Sequence, residues 1–148
     1  MFKNVVVGID GSESSENGLR LACDLAQKYG SEIHLVHTPQ PHTVAFALGA
    51  VSGYHAATTM PSAEEVQKAG DRILDEGKAI AQELGQTIEH TYMKRGDPAD
   101  EIIACANNCN ADLIVTGRRG LGSVGALVHG STSLKVSHNA KCACLTVV

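Results

Sequence analysis

Aromatic residues are nearly absent from this chain of 148 residues, which has no tryptophan, two phenylalanines and three tyrosines. A stacking platform for single-stranded nucleic acid needs more π-surface than that. Surplus positive charge is also missing. The net charge is −4, whereas nucleic-acid binders show a basic footprint, so no nucleic-acid partner is expected. No apolar run approaches the roughly 20 residues that a membrane-crossing helix needs, so no membrane insertion is expected either. The opening "MFKNVVVGID" lacks the basic-then-apolar order of a signal peptide and reads as cytoplasmic.

The five cysteines are an odd number in a chain of this size, which suits a reducing compartment better than a disulfide framework. Cys105 and Cys109 share a helical face, and Cys142 and Cys144 share a strand face. Either pair is half a metal site or, the preferred reading, two small buried apolar residues. The seven histidines show no H-x-x-x-H spacing and the cysteines no C-x-x-C, so no metal site is expected.

What is present is a single domain's worth of core, residues 1–148. "VVVGID" (5–10), "EIHLVHT" (32–38), "TIEHTYM" (87–93), "DLIVT" (112–116) and "CACLTVV" at the end are β-branched or apolar runs that read as strands. Between them lie helical patterns. Ser12 caps the first, whose inner face is Leu19, Ala22, Leu25, Ala26 and Tyr29, with Gly30 as stop. "SAEE" (62–65) is a capping box for a helix with a seam of Val66, Ala69, Ile73, Ile80 and Leu84. Asp97 and Pro98 open a third, with Ile102, Ile103 and Ala106 inward. "STSLKVSHNA" is a short fourth. Residues 39–61 read as a long connection, functional or mobile.

Near-continuous apolar strands alternating with amphipathic helices predict an open, doubly wound, five-stranded parallel α/β sheet with helices on both faces. Ligands of such sheets sit beyond the strands' carboxyl ends. Asp10, Thr38 and the segment 117–131 all fall there.

That segment belongs to "TGRRGLGSVGALVHGSTS" (116–133), with five glycines, two arginines and a run of hydroxyls. After Asp112 the chain has no acid. The last 36 residues carry Arg118, Arg119, Lys135 and Lys141, leaving −8 for the first 112. "GLGSVG" matches G-x-G-x-x-G, but a dinucleotide site needs it after the first strand with an acid downstream. "GALVHGST" matches a P-loop except that Ser131 replaces the lysine, so an ordinary P-loop NTPase is not expected. Glycine amides form an anion nest, and Ser131, Thr132 and Ser133 start a helix whose free amides favour phosphate. The segment therefore reads as a phosphate cradle.

With Gly117, Gly120, Gly130 and Ser131 spaced as G-x2-G-x9-G-[ST], the chain resembles the nucleotide-binding branch of the universal stress protein family. "VVVGIDGSE", the "HT" ending the second strand, "GDPADEII" and "ADLIVTGRRG" share the resemblance, which spans the whole chain. It implies an adenine-nucleotide α/β fold, ATP binding with Mg2+, and a homodimer paired through the last strand. Where the family's last strand usually carries a proline, this chain has "KCACLTVV".

By that resemblance, Asp10 lies by the ribose or adenine, with Gly8 and Ile9 beside it. The Thr38 backbone meets the adenine edge. The amides of Gly117, Gly120, Gly130 and Ser131 hold phosphates, Thr116, Gly122 and Thr132 complete the set, and Arg118 and Arg119 flank it. The implied role is a small ATP-binding regulator of stress responses whose nucleotide state tunes dimerisation or partner contact. The alternative is a slow ATPase or self-phosphorylating protein using Asp10, His129 or the hydroxyls of residues 131–133. Segment 39–61 is expected to close partly over the nucleotide.

Overall fold

The structure is a computed structural model and describes residues 1–49, 60–120 and 131–148. Its strands are β1 (Asn4–Gly8), β2 (Glu32–His37), β3 (His90–Met93), β4 (Leu113–Gly117) and β5 (Ala143–Val147). Its helices are α1 (Glu13–Tyr29), α2 (Pro41–Ala47), α3 (Ala63–Glu83), α4 (Pro98–Asn108) and α5 (Ser131–Asn139). All pairings are parallel, in the order β3-β2-β1-β4-β5. The chain winds outward one way from β1 and then back across it to β4, so the topological switch lies between β1 and β4.

Strand alternation splits the core in two. Val5, Val7, Leu35, Leu113 and Val115 face one way, under Leu19, Ala22 and Ala26 of α1 and Ala69, Ile73 and Ala81 of α3. Val6, Val36 and Ile114 face the other way, under Ala99, Ile102 and Ala106 of α4 and Val136 of α5. The central strands β1 and β4, with both faces covered, are apolar at nearly every position, whereas β2 carries Glu32, His34 and His37 and the edge strands β3 and β5 are only partly buried.

The caps form where the local signals place them. Ser12 Oγ accepts from the Ser15 amide, and Gly30 at φ 67° closes α1 with its N–H on the Ala26 carbonyl (2.8 Å). Ser62 and Glu65 exchange both capping-box bonds. Asp97 accepts from Asp100 N, and Pro98 opens α4.

Three expectations shift. Tyr29 is exposed rather than inward and packs edge-on against Phe2 (5.9 Å, 89°), while Cys23 takes the buried position. β3 is only four residues long, with Ile88 buried just before it. The stretch expected as a loop contains α2. Thr43 Oγ1 accepts from the Gln40 amide and donates to the Gln40 carbonyl, and Val44 and Ala47 pack into the α3 side of the core. Two apolar residues in one helical turn are too short a periodic signal to read from sequence.

Candidate functional site

At the carboxyl ends of β1, β2 and β4, the backbone splays into a cleft of about 590 Å³, within the range of small-molecule sites. Of the residues singled out in the sequence, Gly8, Ile9, Asp10, Thr38, Thr116, Gly117, Arg119, Gly120, Ser131 and Thr132 line it. Gly122, Gly130 and His129 fall outside the described residues. Arg118 does not line the cleft. Its amide donates to the Val147 carbonyl (2.6 Å), which ties it to the β4–β5 seam.

The N-terminus of α1 braces one wall. Asp10 Oδ1 accepts from the Ser12 amide (2.9 Å), and the Asp10 amide donates to Ser15 Oγ (3.3 Å). Ser12 Oγ (3.4 Å) and Ser14 Oγ both donate to the Arg119 carbonyl, pinning the chain as it leaves β4.

Two glycines of the motif sit in close quarters, and at Gly117 the neighbour is backbone that cannot turn aside. A Cβ on Gly120 would lie 2.5 Å from Asp10 Oδ2. One on Gly117 would lie 2.5 Å from Ser14 Oγ and 2.8 Å from the Ser15 backbone nitrogen. Gly117 therefore lets β4 and α1 approach each other, whatever its amide binds.

The opposite wall is apolar. Val36, Ile102 and Ala99 form a floor, and Gln40 with His42 and Thr43 in the first turn of α2 form a rim. Thr38 is buried on this side, and its Oγ1 has no partner among the described residues. A buried hydroxyl without a partner is costly, so a ligand that bonds to it recovers that cost. The third side is the start of α5. Its first turn carries no acidic residue, and a helix N-terminus is where amides and the positive dipole end favour an anion.

Sequence reasoning did not find Lys135, whose ammonium bridges Asp97 (3.1 Å) and Asp100 (2.8 Å) at the cleft edge. The Asp100 and Asp97 carboxylates push its pKa up, while the Asp100 backbone amide first and Lys135 second hold Asp97 low. Only the packing of α4 against α5 brings these residues together. At 41% side-chain exposure for Lys135, the pairs add little stability, but they fix the α4–α5 edge of the cleft.

Behind the cleft, His37 is 1% exposed. Its Nδ1 donates to the Ile9 carbonyl (2.8 Å), and Nε2 has no partner among the described residues. Burial holds the imidazole below its ordinary range against the smaller opposing pulls of the Ile9 bond and Asp10. The unfolded ring takes up a proton near pH 6.5 and the folded ring only at a lower pH. Stability is therefore complete above that value and falls as the pH drops below it, by up to about 1.4 kcal/mol per pH unit for this group. Urea unfolding at pH 7.5, 6.5 and 5.5 checks this, and an unfolding free energy that stays level or rises toward pH 5.5 refutes it.

The cysteines are all free. Cys23 and Cys105 are buried, and burial pushes their thiols up to about 11 and about 12. Cys109, Cys142 and Cys144 are half-buried against the α4–α5 core. Among the described residues, no helix is long and apolar enough to cross a membrane.

Known proteins share this architecture and its sequence. The universal stress protein family profile matches residues 1–147. A universal stress protein of Thermus aquaticus is 35% identical over 148 residues, covering 99% of both chains. The universal stress protein YxiE of Bacillus subtilis is 33% identical over 153 residues, again covering 99% of both. Among solved structures, a universal stress protein in complex with cAMP superposes with a TM-score of 0.68 at 25% identity, over 99% of this chain and 96% of the other. With the profile spanning all but the last residue and relatives matched end to end, the chain belongs to the universal stress protein family.

Proposed function

We propose that the chain is a cytoplasmic regulator that binds ATP, accompanied by Mg2+, in the cleft between β1 and β4. The observation that carries this is the cleft's division of labour. An apolar floor with an unpartnered buried hydroxyl lies at one end, and an acid-free helix N-terminus at the other. That is the polarity of a nucleotide, with a flat base, a sugar and a polyanion in sequence. The solved relative that holds cAMP supports an adenine nucleotide.

In this reading the base lies on Val36 and Ile102, with its edge at Thr38. Asp10, beside Gly8 and Ile9, faces the ribose. The phosphates lie among Thr116, the amides of Gly117 and Gly120, and Ser131 and Thr132, with Arg119 at the flank. By the spacing of the motif, Gly122 and Gly130 belong to the same cradle. β5 is one edge of the sheet, and Val148 beside it is 67% exposed, which suits pairing of two chains through that strand. Binding changes the position of α5, which packs on β5, and so reaches the dimer edge.

The test is calorimetric titration of nucleotide-stripped protein with Mg-ATP, ADP and AMP, beside Gly130→Val. We expect one ATP site per chain, much weaker AMP binding because the phosphate contacts are lost, and no ATP binding by the variant. A wild-type chain that binds none of the three overturns the reading.

A further inference from the structure

A cluster of potential ligand side chains lies at the other end of β2. Parallel register sets His34 directly opposite His90 on β3. Their rings stack at 4.6 Å, tilted by 9°. Glu32 precedes His34 by two residues and so projects from the same face, with its carboxylate 3.8 Å from His90 Nε2. Each of the three offers a ligand atom within 4.8 Å of the other two. No linear motif shows this cluster, because strand pairing supplies half of it.

His34 is the informative member. It is buried, at 5% exposure. Its Nδ1 meets the Tyr92 hydroxyl at 3.4 Å, while its Nε2 has no partner among the described residues. Metal-bound histidines use one ring nitrogen on the ion while the other donates to an outer partner, and the Tyr92 hydroxyl fills that place when it accepts from Nδ1, leaving the Nε2 lone pair for the ion.

We propose that Glu32, His34 and His90 bind a divalent first-row transition ion, with zinc as the reference ion. Two imidazole nitrogens and one carboxylate suit zinc and its neighbours, and leave a fourth position for water. Magnesium and calcium prefer all-oxygen shells, so the site is chemically distinct from anything bound beside nucleotide phosphates. Zinc–ligand bonds of about 2.0–2.2 Å require the three atoms to draw inward. Parallel rings aim their nitrogen lone pairs side by side, so His90 must also rotate out of its stack on His34, and Glu32 and His90, with side chains 70% and 43% exposed, have the freedom to do so.

The test uses the full chain without a histidine tag, stripped by chelator and titrated with Zn2+ and Co2+ in the absence of nucleotide. The expected result is one zinc retained per chain by elemental analysis. The cobalt form should show visible d–d absorption without a thiolate-to-cobalt charge-transfer band. His90→Ala and Glu32→Ala should each weaken zinc binding at least about 100-fold. Tyr92→Phe should weaken it about tenfold, the lower end of what an outer partner is worth. Both ligand substitutions fall on exposed side chains, and the cobalt spectrum of the wild type stands without them. Failure to retain zinc, retention unchanged in both ligand variants, or a charge-transfer band that places the metal on cysteines would each overturn the site.

Discussion

Replacing Ser131 with aspartate is expected to cost about 100-fold or more in ATP affinity while leaving the fold as stable as before, or slightly more so. The two effects have opposite signs because one feature causes both. α5 begins at Ser131 with no acid in its first turn, so its N-terminal amides and dipole favour negative charge there. A carboxylate at that position satisfies the helix, a gain of about 0.3–1 kcal/mol. It also takes the place that a phosphate would occupy and repels it. Two like charges about 4 Å apart near a protein surface repel by roughly 4 kcal/mol, less with salt, and 100-fold is about 2.7 kcal/mol.

A merely unfolded variant would lose both properties together. Ser131→Asp should separate them, with melting at or slightly above the wild-type temperature and weak heats with Mg-ATP. ATP affinity within threefold of wild type would remove the helix terminus from the phosphate site.

Gly117→Val is expected to lower stability by about 3 kcal/mol, the upper end of overpacking costs, and the melting temperature by roughly 6–12 °C for a chain of this size. The clash is not with a flexible side-chain tip alone. The added Cβ would sit 2.8 Å from Ser15 N and 2.9 Å from the Ser14 carbonyl carbon, so α1 itself must retreat from β4. That retreat also breaks the hold of Ser12 and Ser14 on the Arg119 carbonyl, and ATP binding should weaken with it.

Gly85→Ala is the control. Its φ of +74° makes any side chain strained, but nothing lies within 4 Å of the added Cβ. It should cost only about 1 kcal/mol and leave binding alone. Equal melting of Gly117→Val and wild type would mean that the α1–β4 contact relaxes freely, and that Gly117 is required for its amide alone.

These variants mark how far the sequence could be read. Ser12, Gly30, Ser62–Glu65 and Asp97–Pro98 were legible as helix ends because each cap closes within three or four residues. β1 and β4 were legible because burial on both faces leaves almost no polar residue in them, and the others because β-branched and apolar residues recur in short runs between turn signals. Alternating strands and helices then restricted the topology to a doubly wound sheet. Convergence of Asp10, Thr38, Gly117 and Gly120 on one cleft followed from the rule for strand carboxyl ends.

The strand order decided the rest. Gly117 faces Ser14 and Ser15 of α1, some hundred residues earlier, and this pairing exists only because β4 lies beside β1. Lys135 reaches Asp97 and Asp100 only because α5 packs on α4. His34 and His90 stack only because β3 joins β2 in one register. By itself the sequence determined the fold class and every element but α2, and it marked the segment proposed here as the phosphate cradle, since each rests on interactions between near neighbours or on a period along the chain. The tertiary structure alone decided which glycines are needed for space, where Lys135 is held, and that Glu32, His34 and His90 meet, because those contacts join residues whose separation in sequence carries no signal of their nearness.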